Sequence, residues 1–366
     1  IRDVERSRGL GDVYKRQDLR HFRNYTHLQT EFSPETNWIF GKNGQGKTNL
    51  VEAIYYICNL ESFRTRKNHY LLQSGYPQAL IQAELKRSDV LHQIRIQVTS
   101  RGRQVRLDHS AYNKVSDYIL SFLALTFTPE EVVLFRGSPQ ERRRFFNRMQ
   151  AILEPSYFRI LQDYAKALSQ KNAVLKQQQR EKLPLWNQML ARHASIMSEK
   201  RRSFTESLNL HLEELFQAIS GRTECLQLEF QPSISIPEET EEGIFQVLES
   251  AAEKEMRAGH SLMGPHRDDF RLMLDHRPDR EFFSQGEFRI TNLALKMALN
   301  QLLYQSFMIY PVLIFDDLFS ELDPSMKSHI MDFFSQLKNQ VFITSTVPPE
   351  YVKPGNTLQI SQGTTV

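Results

Sequence analysis

Cysteine is scarce. Cys58 and Cys225 are the only two in 366 residues, and they form no Cys-x-x-Cys pair, which excludes a disulfide framework and a zinc hook. Such sparse cysteine fits a reducing compartment, so a cytoplasmic setting is expected. No apolar run approaches the ~20 residues needed to cross a bilayer, and no signal peptide is recognisable, so no membrane association is expected. No heptad repeat is sustained, which excludes a long coiled-coil arm. A large net charge is also missing: the formal balance is only +3. That small number hides a polarity. Residues 136–202 carry 15 Lys/Arg against 5 Asp/Glu, and residues 203–256 carry 2 against 12. The asymmetry predicts one face for polyanions and another for a basic partner.

The remaining composition, 40% hydrophobic and 24% charged, is that of a globular protein, and the length is large for one core. The stretch that organises the chain is Gly41-Lys42-Asn43-Gly44-Gln45-Gly46-Lys47-Thr48, which fits G-x-x-x-x-G-K-[ST]. A short apolar run, Trp38-Ile39-Phe40, precedes it as a buried strand. Leu50, Val51, Ile54 and Ile57 follow at helical spacing. Glycines there let backbone N–H groups close around phosphate oxygens, and the helix N-terminus adds a favourable dipole. Lys47 is expected on the β- and γ-phosphates of ATP and Thr48 on Mg²⁺.

In chain order, Asp12 to Gln17 looks like the peptide encoded in one frame by a transposase adaptor, so residues 1–17 are set aside as non-native. Leu19 to Phe40 reads as two strands around Phe22-Arg23-Asn24-Tyr25. Ala79–Leu85, His92–Val98 and Arg103–Leu107 read as an antiparallel β subdomain, the middle one alternating through Ile94, Ile96 and Val98. From about Val115 the period becomes helical. Ser138 is a natural N-cap with Pro139 at the first helical position, Pro155 interrupts, and Tyr157–Gln179 and Leu185–Ile219 are further helices. Glu224–Phe230 and Ser233–Ile236 read as strands, and Glu241–Arg257 as one acidic helix.

Two later stretches carry chemistry. Ser284-Gln285-Gly286-Glu287 opens an amphipathic helix with capping-box spacing, giving a second anion-binding helix start. Val312-Leu313-Ile314-Phe315 is a buried strand ending in Asp316-Asp317, and two carboxylates there are costly without a cation. Asp316 is expected to hold Mg²⁺ through water and Asp317 to position the attacking water. Phosphate loop, serine cap and aspartate pair are the parts of an ABC-type ATPase, in which two heads sandwich two ATP molecules.

The chain resembles the RecF family, bacterial DNA replication and repair proteins among the SMC-like ABC ATPases, from about residue 18 to near its end. The resemblance rests on Phe22–Tyr25, Gly41–Asn49, Ser62-Phe63-Arg64-Thr65, Gly137-Ser138-Pro139, the Arg142-Arg143-Arg144-Phe145 run, Gly264-Pro265-His266-Arg267-Asp268-Asp269, Ser284–Gly286 and Asp316–Asp323. It implies an α/β fold: an ABC/SMC-type P-loop ATPase head with an antiparallel β subdomain and an inserted helical lobe. The expected boundaries are 18–114 and 258–366 for the head and 115–257 for the lobe. It implies ATP- and Mg²⁺-dependent homodimerisation on double-stranded, single-stranded or gapped DNA, with weak ATPase activity as the switch. It also implies work with RecO and RecR and a part in SOS induction.

By position the resemblance places Arg23, Asn24 and Asn49 at the nucleotide and Arg64 beside its phosphates, with Lys47 and Asp317 catalytic. Ser284, Gln285 and Gly286 would act on the partner head. Pro129–Glu131 falls at a Q-loop, and Ser320 to Asp323 at a D-loop. Arg142, Arg143, Arg144 and Arg148 are the DNA-contact candidates, of which at most one or two share a helix face. His266, Asp268 and Asp269 read as a structural turn ahead of a metal site. Three positions depart from the family pattern: Glu287 for Gln, Asn147 for Asp, and Thr346 where many ABC ATPases have His. A transporter-type ATPase subunit acting on a membrane or protein partner, and a P-loop kinase, are the alternatives. The basic helical insertion disfavours the first, and Ser284–Gly286 with the paired aspartates disfavours the second.

Overall fold

A computed structural model describes residues 13–365 except 88, 109, 113–121, 129–132, 237–238, 279–282, 320–323 and 350–354. The Q-loop expected at Pro129–Glu131 and the D-loop residues Ser320 and Asp323 lie outside the described residues. The chain forms two compact units: Ile1–Glu131 with Ile219–Gly221 and Leu303–Val366, and Val132–Ala218 with Arg222–Leu302.

The first unit is built on two sheets. One is antiparallel: β1 (Val13–Phe22), β2 (Tyr25–Glu31), β4 (Gln78–Arg87), β5 (Val90–Thr99), β6 (Gly102–Leu107) and β7 (Ser110–Tyr112), in the order β2-β1-β4-β5-β6-β7. The alternation of Ile94, Ile96 and Val98 with polar residues puts the first set in the core. The other sheet runs β15-β14-β3-β13-β12-β8, from β3 (Thr36–Phe40), β8 (Ala124–Phe127), β12 (Val312–Asp316), β13 (Val341–Ser345), β14 (Gly355–Ser361) and β15 (Thr364–Thr365). All its pairings except β14–β15 are parallel. β8, β12 and β13 are buried at every position, as parallel strands covered on both faces must be. Helix α1 (Lys47–Asn59) touches β4 on one sheet and β8, β12 and β13 on the other. It is buried almost all round, from Leu50 through Asn59.

Two expectations for this unit are corrected. Residues 13–17 belong to the fold: ladder bonds are made by backbone whatever the side chain, and Gln340 brackets Tyr14 through its N–H (2.6 Å) and carbonyl (2.8 Å). Tyr14 is fully buried against Phe32 and Phe342. Ala124–Phe127 is a strand rather than part of the helical lobe, because four consecutive apolar residues carry no period that separates a buried strand from a helix.

The second unit contains α2 (Val133–Arg136), α3 (Pro139–Leu153), α4 (Pro155–Lys176), most of α5 (Leu183–Ser220), α6 (Glu241–Ser250), α7 (Ala252–Ala258) and most of α8 (Gln285–Phe307). A three-stranded sheet joins them: β9 (Leu226–Gln231), β10 (Asp269–Leu274) and β11 (Arg277–Pro278). Ser138 caps α3 in a full capping box with Glu141. Ser233–Ile236 is not a strand, and the single acidic helix divides at Ala251. The lobe thus extends past 257 to Leu302 and takes in the Ser284 helix, which the expected boundary assigned to the head.

Candidate nucleotide site

Three neighbouring parallel strands, β3, β13 and β12, end on the same edge of their sheet. Ligands of open parallel sheets bind outside such carboxyl ends. β3 delivers the glycine loop, β12 delivers Asp316 and Asp317, and β13 between them delivers Thr344. The loop turns through left-handed backbone at Gly44 (φ 77°) and Gly46 (φ 116°). At Gly46 a side chain is also barred by contact, since a Cβ would lie 2.7 Å from Asn24 Nδ2 and 2.9 Å from Tyr25 Oη. Tyr25 Oη donates to the Gly46 carbonyl at 2.9 Å.

Lys47 Nζ donates to the carbonyls of Gly41 (2.6 Å) and Lys42 (2.9 Å), so the loop curls around the ammonium. Burial lowers its pKa, opposed by the charges of Asp317 and Asp316. Helix α1 starts with no side-chain cap and no acidic residue in its first turn, which leaves its leading N–H groups to an anion. Thr48 Oγ1 donates to Asp316 Oδ1 at 3.0 Å. A hydroxyl and a carboxylate side by side are hard oxygen donors of the kind Mg²⁺ takes. The residues present therefore fit a nucleoside triphosphate and its metal.

The strand-end residue that engages the carboxylate is Thr344, not Thr346, which is exposed beyond β13. Thr344 Oγ1 donates to Asp316 Oδ1 at 2.6 Å and accepts the Asp317 N–H at 2.9 Å. Asp317 itself has φ 50°, and Asp316 is only 4% exposed. The sequence alone does not pair this hydroxyl with Asp316, which lies 28 positions away.

On the other side of the loop, Asn24 Nδ2 donates to Gln45 O at 3.1 Å, and Asn49 Nδ2 donates to Asn24 Oδ1 at 2.7 Å. Arg64 Nη1 donates to Asn49 Oδ1 at 2.8 Å. Arg23 is not a free phosphate ligand: its Nε and Nη2 donate to the two oxygens of Glu52 at 2.8 and 2.6 Å. Glu52, fully buried on α1, also accepts from Ser62 Oγ at 2.5 Å. It was missed because one Glu within an apolar helix carries no motif. The hairpin β14–β15 was missed as well. Its turn reaches the loop, with the Gln362 N–H donating to Gln45 Oε1 (2.6 Å) and the Gly363 N–H to Gln45 O (3.1 Å).

In the second unit, Ser284 and Glu287 form a reciprocal cap. The Ser284 N–H donates to Glu287 Oε2 at 2.8 Å and the Glu287 N–H to Ser284 Oγ at 3.2 Å. Desolvation raises the Glu287 pKa, but Ser284 and Arg222, which donates at 3.2 Å, outweigh it and hold the carboxyl below its usual value. Glu287 therefore folds back as a capping residue whose carboxylate shares Arg222 with Glu224, while Ser284, Gln285 and Gly286 stay exposed.

The expected DNA-contact run is corrected at Arg142. Arg142 is fully buried, its Nε and Nη2 paired to Asp269 at 2.7 and 2.8 Å and its Nη1 to the carbonyls of Phe135 and Gly137. Arg143 is half-buried and donates to Asp268 O at 2.6 Å, whereas Arg144 is exposed and Arg148 half-buried. A basic run one helix turn long presents one side to the core, and here that side meets two aspartates. Buried Arg201 binds Asp268, Pro265 O (2.9 Å) and Asn147 Oδ1 (3.0 Å), so Asn147 keeps a polar contact. Asp268 and Asp269 of the Gly264–Asp269 turn are thus taken up by Arg201 and Arg142. Part of the sequence polarity is spent inside this unit, through Lys171–Glu255 (2.6 Å), Arg202–Glu239 (2.8 Å) and Arg180–Glu253 (3.6 Å).

The family model described as RecF/RecN/SMC N terminal domain matches residues 14–363. A protein of Oceanobacillus iheyensis named DNA replication and repair protein RecF is 34% identical over 90% of this chain and 92% of its own length. One of the same name from Geobacter sp. strain M21 is 32% identical over 94% of this chain and 97% of its own. Among solved structures, one described as the recombination mediator protein RecF-ATPrS in the RecFOR pathway matches with TM-score 0.85 and 25% identity, covering 97% of this chain and 98% of that one. An Smc head bound to the C-terminal winged-helix domain of ScpA matches with TM-score 0.58 at 15% identity over 96% of each, a likeness of fold. The chain belongs to the RecF family of SMC-type ATPase heads.

Proposed function

We propose that the protein is an ATP-dependent DNA-binding switch of replication and recombinational repair. The observation that carries this reading is the convergence of Lys47, Thr48, Asp316 and Thr344 at one sheet edge, with Thr48 and Asp316 at 3.0 Å. The N–H groups of Gly41–Thr48 and the Lys47 ammonium would hold the phosphates of ATP, and Thr48 with Asp316 would hold Mg²⁺. Bound nucleotide supplies the γ-phosphate charge that a second molecule can cap. Ser284, exposed at an α8 start whose Glu287 is folded back onto the Ser284 N–H and Arg222, is suited to make that cap in trans. Thr344 holds Asp316 in place, and Asp317 orients water for slow hydrolysis, which ends the closed state.

The names of the relatives, a DNA replication and repair protein and a recombination mediator in the RecFOR pathway, support a DNA substrate. To this we add gaps or junctions as the form of that DNA, RecO and RecR as partners and SOS induction as an outcome. Among the described residues no helix is long and apolar enough to cross a membrane. Gel shifts with duplex, gapped and single-stranded DNA, with and without ATP over a salt series, test the reading. Affinity that rises with ATP and falls steeply with salt is expected. Absence of binding to every substrate at low salt contradicts it.

A further inference from the structure

The loop is flanked by a charge arrangement that phosphate binding alone does not require. Asn49 and Glu52 stand three residues apart on α1, hence on one face. Two guanidinium groups meet that face and share one carboxylate. Arg23 saturates it with two bonds of 2.8 and 2.6 Å and is 16% exposed, whereas Arg64 lies 3.7 Å away and is 38% exposed. The surplus positive charge of the trio therefore sits on Arg64. Its other bond, to Asn49 Oδ1, places it at the first turn of α1, beside the donors of the phosphate loop. Ser62 ties the same carboxylate to the backbone that carries Arg64, because Ser62 Oγ also accepts the N–H groups of Arg64 and Thr65 at 2.9 Å.

We infer that Glu52 is a positioning residue of the nucleotide reaction: it pins Arg23 and, through Ser62 and its own charge, aims Arg64 at the phosphate end of α1. A buried carboxylate neutralising only one of two arginines keeps the local charge at a single well-placed cation. Neutralising the carboxylate leaves two cations near the loop, Arg23 without its ion pair and Arg64 without the charge that aims it. Attraction for a polyanion then holds or rises while the geometry needed in the transition state is lost. The inference rests on the nucleotide reading of the loop.

The test uses the full chain in four forms: wild type, Glu52→Gln, Arg64→Gln and the double variant. Each is measured for ATP dissociation constant, steady-state kcat and melting temperature. Glu52→Gln is expected to lower kcat about tenfold, on the scale that misplacement of a positioning group costs, with ATP bound at least as tightly as by wild type. Added to Arg64→Gln it should lower kcat no further, since groups acting through one another are not additive. A residue with a merely structural role would instead lower ATP affinity and melting temperature together and add its full effect to Arg64→Gln. Either result overturns the inference. Should Glu52→Gln fail to fold, Ser62→Ala removes one bond to the same carboxylate and must show the same non-additivity with Arg64→Gln. Wild type that binds no ATP contradicts the nucleotide reading itself, an outcome distinct from additive variants of an active protein.

Discussion

Replacing Arg142 with Met separates a structural arginine from a DNA contact. The guanidinium makes two charge-assisted bonds to Asp269, at 2.7 and 2.8 Å, and two to the carbonyls of Phe135 (3.0 Å) and Gly137 (2.8 Å). Arg142 has a side-chain exposure of 1% and Asp269 of 15%, so little water can replace what is lost. Truncation takes the guanidinium from a carboxylate that keeps the 2.9 Å bond from the Phe270 N–H, and it removes a donor from each of two carbonyls. Breaking such a pair costs about 3–5 kcal/mol, a large share of the ~5–15 kcal/mol by which domains are stable. The urea midpoint should fall accordingly at constant slope, and Arg142→Met combined with Asp269→Asn should recover part of the loss. In DNA binding, the logarithmic salt slope of the folded variant should match wild type, because a removed phosphate ligand would reduce it by about one unit. A stability change under ~1 kcal/mol together with a reduced slope refutes the buried assignment.

Gly46→Ala should abolish the rise in melting temperature that ATP produces in wild type, since its Cβ would enter within 2.7 Å of Asn24 Nδ2 at φ 116°. Thr344→Val removes the hydroxyl that holds Asp316 and should raise the Mg²⁺ requirement of the ATPase by about 10-fold or more, as loss of an outer ligand partner does; an unchanged Mg²⁺ titration denies Thr344 that role. Gln17 is fully buried with neither side-chain polar atom hydrogen-bonded, so Gln17→Leu should stabilise the protein by about 1–3 kcal/mol in urea unfolding. Burial first, with neighbouring Arg267 and Arg143, lowers the His266 pKa from 6.5 to about 4. The unfolded chain then takes up the proton first, so this contribution is complete above pH 6.5 and is lost as pH falls from 6.5 toward about 4. His266→Gln should be less sensitive than wild type over that window in pH-dependent melting.

The glycine loop and the aspartate pair were legible in the sequence because each is contiguous: a strand, a turn and a helix start carry the first, and one strand end the second. The capping role of Ser284 with Glu287 was legible for the same reason. Arg142 was misread because its fate depends on Asp269, 127 positions away, and a run of arginines looks alike whether it faces water or carboxylates. Glu52 and Thr344 act only through partners brought in by the fold, Arg23 and Asp316, so no local pattern announces them. β14 went unseen because only Ile360 of its residues is buried, yet it pairs with β3 along its length and its turn touches Gln45. At the other end of the chain, β1 holds residues 13–17 by backbone pairing, which hydrophobic patterning does not report.

Sedimentation velocity of wild type and Lys47→Met, each with and without ATP and Mg²⁺, tests the central claim most directly. Lys47 lies inside the loop through its bonds to Gly41 and Lys42, so Met removes the cation without adding bulk. Conversion of wild type from monomer to dimer by ATP, with Lys47→Met monomeric throughout, is the predicted result. A Lys47→Met protein that dimerises with ATP as wild type does, or a wild type that ATP leaves unchanged, contradicts the account.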